Sequence, residues 1–114
     1  MDNLSEKVAV IIGGASGIGA ATAQLFRNKG SKVLLVDINE GKGLAFQQEL
    51  SRQNGEVKFI KATIDNNTEL QKIINEAVRI FGRVDFIFHK ATLRRVTSSK
   101  KHPIDIWRHM INVA

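Results

Sequence analysis

The sequence predicts an α/β fold built on a doubly wound parallel sheet, and three observations carry that expectation. Short, nearly continuous apolar runs rich in β-branched residues, "KVAVII" (Lys7 to Ile12) and "KVLLV" (Lys32 to Val36), alternate with segments of helical periodicity. Strands apolar at every position suit a parallel sheet buried on both faces, whereas one wet face would impose strict alternation. A glycine-dense stretch, "IIGGASGIGAA", stands between the first strand and the first helix, and an acid, Asp37, closes the second strand.

The elements follow in order. After the first strand, "GAATAQLFRNKG" is expected to be a helix with Ile18, Ala21, Leu25 and Phe26 on its inner face, ending at Gly30 as a C′ glycine. A second helix is expected from about Asn39, its cap, to Gln53; Gly41 and Gly43 lower its propensity, and Asn54-Gly55 forms a turn. "VKFIKATI" (Val57 to Ile64) reads as the third strand. The third helix has the clearest pattern: Leu70, Ile73, Ile74, Ala77, Val78 and Phe81 share one face before Gly82, and Thr68 and Gln71 have capping-box spacing. "VDFIF" (Val84 to Phe88) is the fourth strand, and a last helix begins near Pro103 with Ile104, Trp107 and Ile111 inward. Strands alternating with amphipathic helices imply right-handed crossovers and helices on both faces.

The 114 residues, 43% apolar and 25% charged, suit one soluble globular domain over residues 1–114. The N-terminus lacks the basic and apolar regions of a secretory signal, and the absence of cysteine excludes disulfides and thiolate metal sites, so the expected compartment is the cytoplasm. No long apolar run calls for a membrane span. The net charge of +6 is uneven: residues 1–90 hold 12 Lys/Arg and 10 Asp/Glu, a net of +2, and residues 91–114 hold 5 and 1, a net of +4. Arg94, Arg95, Lys100 and Lys101 fall in "TLRRVTSSKKH", and residues 92–102 read as a basic flexible loop. Nucleic-acid binding is not expected, since no aromatic residue interleaves with these charges and no helix presents them on one face.

In a doubly wound sheet the loop after the first strand is the usual phosphate site. Glycines there permit a tight turn, admit a pyrophosphate to the backbone and let the helix pack close to the strand, while the helix N–H groups face the anion. Gly13, Gly17 and Gly19 occupy that loop, with Ser16 and Ile18 between them. Asp37, 18 residues past Gly19, stands where a carboxylate receives the adenosine ribose hydroxyls of a dinucleotide. An acid repels a 2′-phosphate, and the following Ile38, Asn39 and Glu40 supply no cation, so NAD(H) is expected over NADP. Alternatively, Asp37 only begins a polar loop.

The spacing Gly13-x-x-x-Gly17-x-Gly19 resembles the Thr-Gly-x-x-x-Gly-x-Gly pattern of the short-chain dehydrogenase/reductase family. Asp37, Asp65 after the third strand, "FGRVDFIF" and "DIWRHMINV" are in register with that family along essentially the whole chain, which corresponds to its N-terminal, cofactor-binding portion. The resemblance implies a Rossmann-type sheet, incomplete, with strand order 3-2-1-4. It further implies cofactor contacts from Gly13, Ser16, Gly17, Ile18, Gly19, Asp37, Ile38, Asp65 on the adenine, and Ala91. Asn112 matches the Asn of the catalytic tetrad.

Departures from the family pattern shape the functional expectation. Ile12 stands where the family has Thr or Ser, and His89-Lys90-Ala91-Thr92 replaces an Asn-Asn-Ala-Gly run, leaving only Ala91 in common. Lys90 would pair with a cofactor phosphate or mark a local rearrangement; His89 is a general base or a structural histidine; His102 and His109 lack the company of metal ligands. Family members move a hydride between a nicotinamide and an alcohol or carbonyl carbon with a Ser and a Tyr-x-x-x-Lys; this sequence has no Tyr. Those residues are expected beyond Ala114, so the chain alone is expected to be inactive as an oxidoreductase. The alternative is a non-catalytic NAD-binding or interaction module. A small alcohol or carbonyl substrate belongs only to a complete enzyme, and an exposed fourth-strand edge would invite self-association.

Overall fold

A computed structural model describes residues 4–15, 17–51, 56–64, 66–89 and 92–96. Their order is β1 (Val8–Ile12), α1 (Gly17–Asn28), β2 (Lys32–Asp37), α2 (Glu40–Ser51), β3 (Val57–Lys61), α3 (Asn67–Phe81), β4 (Phe86–His89) and β5 (Thr92–Arg95). The sheet runs β3-β2-β1-β4-β5. The four strands expected from the sequence are parallel and in the expected order 3-2-1-4.

Helices cover both faces of this doubly wound α/β sheet, and alternate residues of the central strands serve opposite cores. Val10, Leu34 and Val36 pack with Leu70, Ile73, Ile74 and Ala77 of α3. Ala9, Ile11, Val33 and Leu35 pack with Ala23 and Phe26 of α1 and Leu50 of α2. Val8 through Ile11 and Val33 through Val36 are fully buried, which explains their continuous apolarity. Each such Val, Leu or Ile contributes roughly 1.5–3 kcal/mol by leaving water.

The inner face of α1 matches expectation at Phe26 and differs at Ile18, Ala21 and Leu25. Gly19, Ala23, Phe26 and Arg27 are buried, while Ile18 and Leu25 are 66% and 52% exposed and Ala21 is also exposed. The helix lies so close to the β1 loop that a Cβ at Gly19 would overlap the Gly13 carbonyl, so its smallest residues face the sheet. Its end matches expectation: Gly30 has φ +90°, its N–H donates to the Arg27 carbonyl and the Ser31 N–H to that of Phe26 (both 3.0 Å), closing a Schellman motif.

Asn39 caps α2, its Oδ1 accepting from the Lys42 N–H at 3.0 Å. The cap of α3 is Asn66, which accepts from the Glu69 N–H at 3.0 Å, rather than Thr68, which lies inside the helix. Gly82, left-handed at φ +83°, ends α3 with an N–H bond to the Val78 carbonyl. Buried Asp85 then ties β4 to β1, since its Oδ2 accepts from the Val8 N–H (2.9 Å) and its Oδ1 from Arg83 (2.6 Å).

Part of the expected basic loop is a strand. Thr92–Arg95 pairs antiparallel with β4, in the register Phe88↔Leu93 and Phe86↔Arg95. The β4 edge is therefore covered, which corrects the expectation of an exposed fourth-strand edge. Val96, buried in the α3-side core, and the pairing with β4 override the weak strand signal of a charged tetrapeptide. The expected helix near Pro103, with Ile104, Trp107 and Ile111, lies outside the described residues.

Candidate functional site

β1 and β2 end side by side, and the loop leaving β1 is anchored to β2 before it enters α1. The Gly13 and Gly14 N–H groups both donate to the Val36 carbonyl, at 2.7 and 3.1 Å. Gly13 turns with φ +80°, a conformation that glycine adopts without steric cost. Gly14 is confined, because a Cβ there would stand 2.9 Å from the Ile11 carbonyl and 3.0 Å from Leu35. Gly17 opens α1 at φ +61° with open space where its side chain would be. The first N–H groups of a helix have no partner within it, so the start of α1 presents donors and a positive dipole end at an approachable backbone.

Asp37 joins this loop to the end of β2. Its Oδ2 accepts from the Ala15 N–H at 3.1 Å and its Oδ1 from the Asn39 N–H at 3.0 Å. Its backbone carbonyl accepts from the Ala62 N–H at 3.1 Å, bringing the segment after β3 alongside. A carboxylate offers about four acceptor positions. Among the described residues the Ala15 and Asn39 N–H groups donate to it, and a carboxylate can accept hydroxyl donors from a ligand as well.

A crevice of about 300 Å³ opens at this point, lined by Ile12, Gly13, Val36, Asp37, Ile38, Ala62, Thr63 and Ile64. Among the described residues its walls are largely aliphatic, with the carboxylate of Asp37 among them. Such a site suits a flat heteroaromatic ring carrying a hydroxylated sugar. The structure thus brings Gly13, Gly17, Gly19, Asp37 and Ile38 to one end of the sheet; Ile18, also on this loop, is largely exposed. Ser16, Asp65, Ala91 and Asn112 lie outside the described residues, as does Lys90.

Sequence reading missed two features of the site. Ala15 donates its N–H to Asp37, although an alanine carries no side-chain signal for such a role. Ala62 to Ile64 form a crevice wall rather than the end of a strand, since β3 stops at Lys61. Among the described residues no group of three or more His, Cys, Asp or Glu could hold a metal ion, and no helix is long and apolar enough to cross a membrane.

These features define a doubly wound α/β protein with a glycine-loop crevice at the carboxyl ends of its strands. Residues 7–114 match the family described as short chain dehydrogenase, and the chain belongs to that family. It is 34% identical over 110 residues to an uncharacterised oxidoreductase of Thermotoga maritima, covering 96% of this chain and 43% of that protein. It is 31% identical over 111 residues to 3beta-hydroxysteroid dehydrogenase 2 of Eggerthella lenta, again covering 43% of the relative. The chain therefore spans less than half the length of these relatives. A short chain dehydrogenase/reductase from Burkholderia phymatum, solved in complex with NAD, superposes with a TM-score of 0.73 at 32% identity, over 77% of this chain and 31% of that one. A hydroxysteroid dehydrogenase from Escherichia coli superposes with a TM-score of 0.70 at 28% identity, over 76% of this chain and 36% of that one.

Proposed function

We propose that this chain forms the adenosine and pyrophosphate half of the cofactor site of a short-chain dehydrogenase, and that it takes NAD(H) in preference to NADP. The observation that carries the reading is the position of Asp37: one carboxylate lines the aliphatic crevice and also holds the glycine loop through the Ala15 N–H. In this reading the crevice between Ile12, Ile38 and Ile64 takes the adenine, to which the family resemblance also assigns Asp65. Asp37 accepts the ribose hydroxyls, and Gly13, Ser16, Gly17, Ile18 and Gly19 face the phosphates. The family resemblance adds Ala91 to the cofactor contacts. The same negative charge that receives two hydroxyls repels a 2′-phosphate. The NAD complex of the Burkholderia phymatum relative supports the choice of ligand.

When bound, the nicotinamide supplies the hydride acceptor or donor for the interconversion of an alcohol and a carbonyl. This chain's residues bind and orient the other end of the cofactor. Asn112 is the one residue assigned to the proton-transfer machinery, and the sequence holds no Tyr to complete it. The cysteine-free composition fits a cytoplasmic protein.

A second reading, a binding module without catalysis, is favoured by β5. This antiparallel strand occupies the sheet position next to β4, departing from the parallel order of the other strands.

The test compares NAD, ADP-ribose and NADP by calorimetric titration of the full chain. NAD and ADP-ribose are expected to bind alike, since the contacts lie in their shared part, with NADP weaker by about tenfold, or 1.4 kcal/mol. Asp37→Asn keeps an acceptor oxygen but removes the charge. It is expected to weaken NAD by roughly 1.5–3 kcal/mol, the range for a hydrogen bond to a charged group, and to abolish the preference over NADP. Absence of NAD binding, or an unchanged NAD/NADP ratio in Asp37→Asn, would overturn the proposal. Turnover of an alcohol by the chain alone would exclude the second reading.

A further inference from the structure

The basic segment after β4 turns back along the sheet. β5 runs antiparallel to β4, and its register, Phe86↔Arg95, returns Arg95 to the end of the sheet where β4 begins. β1 also begins there, since Ala9 pairs with Phe86. Ala9, Phe86 and Arg95 thus stand on one rung, and Lys7, two residues before Ala9, falls on the same face. Lys7 and Arg95, far apart in sequence, line one cavity of about 100 Å³ whose other walls are Asp85, Phe86 and Val96. The glycine loop, Asp37 and the cofactor crevice lie at the opposite end of the strands.

The charges around this cavity do not balance among the described residues. Asp85 is buried and both its oxygens are engaged, Oδ2 by the Val8 N–H at 2.9 Å and Oδ1 by Arg83 at 2.6 Å. Lys7, Arg83 and Arg95 against this one carboxylate leave an excess of two positive charges. Glu6, beside Lys7 in the chain, is drawn instead to Lys32 on β2 at 3.5 Å. Among the described residues no carboxylate forms an ion pair with the Lys7 ammonium, although Lys7 is half-buried. Like charges gathered at one cavity repel, and more strongly where burial lowers the dielectric. A bound anion reverses that repulsion: the ammonium offers rotatable donors, and the guanidinium a planar fork that meets two oxygens at once. A single water needs only about 10–15 Å³ of such a space, so the cavity admits a four-oxygen ion. It has a third of the volume of the cofactor crevice, so a small ion suits it better than a nucleotide.

We propose that this cavity is a binding site for a small free oxyanion, with the phosphate dianion as the ligand whose charge matches the excess. Lys7 and Arg95 hold its oxygens, while Arg83 occupies the Asp85 carboxylate that would otherwise repel it. The ion bridges the two strands that flank β4, and so ties β5 to β1 at the end of the sheet away from the cofactor. No residue is shared with the crevice, so the site does not depend on which nucleotide that crevice takes.

The experiment follows the backbone amide shifts of the isotope-labelled full chain as inorganic phosphate is added at mildly alkaline pH, with ionic strength held constant by chloride. The residue-resolved readout separates the cavity from the glycine loop, which is itself a phosphate site in the proposed function. Saturable shifts are expected at Val8, Phe86 and Val96. Lys7→Gln and Arg95→Gln are each expected to weaken binding by about tenfold or more, as for the loss of a hydrogen bond between charged partners. Lys7→Arg, which keeps the charge, is expected to retain it, which separates loss of the cation from a defect in folding. Lys58→Gln, an exposed lysine on β3, is expected to leave it unchanged. Shifts confined to Gly13, Gly17 and Gly19, shifts at the cavity that never saturate, or equal affinity with and without the Lys7 charge would overturn the proposal.

Discussion

Gly41 and Gly43 stand two residues apart in α2 and act in opposite ways. A Cβ at Gly41 would meet only the Asn39 side chain, at 3.7 Å, while one at Gly43 would overlap the ring of Phe59 on β3. Gly41→Ala is expected to stabilise the fold by up to about 1 kcal/mol, the helix-propensity difference. Gly43→Ala gains the same propensity but must displace a packed ring, an overpacking cost of about 1–3 kcal/mol, so it is expected to destabilise. Urea denaturation of both variants decides the matter, and equal shifts in one direction would contradict it. From sequence both glycines read only as helix weakeners, because the partner that makes Gly43 necessary is 16 residues away on another element. Gly13 and Asp37 were legible for the opposite reason: a left-handed turn and a strand-end acid leave local marks at fixed spacing.

At the scale of elements, the existence and type of the first four strands and three helices were legible, because burial on two faces and burial on one stripe impose different periods. The orientation of α1 was not. Of the expected inner face, Ile18, Ala21, Leu25 and Phe26, only Phe26 is buried, because close approach of the helix to the β1 loop selects Gly19 and Ala23 beside it. The start of α3 shows a related ambiguity, since "NNTELQ" contains two overlapping capping patterns, Asn66 with Glu69 and Thr68 with Gln71. The structure selects Asn66, so Asn66→Ala is expected to cost about 1 kcal/mol and Thr68→Ala distinctly less. Thermal melts of the two variants check the assignment; the reverse order would return the cap to Thr68. β5 escaped detection because it is held by pairing with β4 and by the buried Val96 that follows it, rather than by a strand pattern of its own, which carries two adjacent arginines. Among the described residues β5 is the outermost strand on this side, and an exposed charge such as Arg95 there discourages pairing with other chains.

For the molecule as a whole, the ligand crevice and an apolar groove lie at different places on the sheet. The glycine loop, Asp37 and the crevice gather at the carboxyl ends of β1, β2 and β3, where a doubly wound sheet binds its ligand. The apolar groove lies across α1 on the β4–β5 side, lined by Leu4, Leu25, Phe26, Phe86, Phe88 and Leu93. The first was legible in the sequence because a ligand-binding loop is built from consecutive residues. The second was not, since it assembles Leu4, Leu25, Phe86 and Leu93 from four separate segments and exists only once the sheet has formed. The account rests on the first of these, the joint action of the loop and the β2 acid on one dinucleotide. Backbone amide chemical shifts of the isotope-labelled chain, followed as NAD is added, test it most directly. Shifts are expected at Gly13, Ala15, Gly17, Gly19, Asp37 and Ile38, with Leu25, Phe86 and Leu93 unmoved. A spectrum unchanged by NAD, or one whose changes gather on the groove, would contradict it.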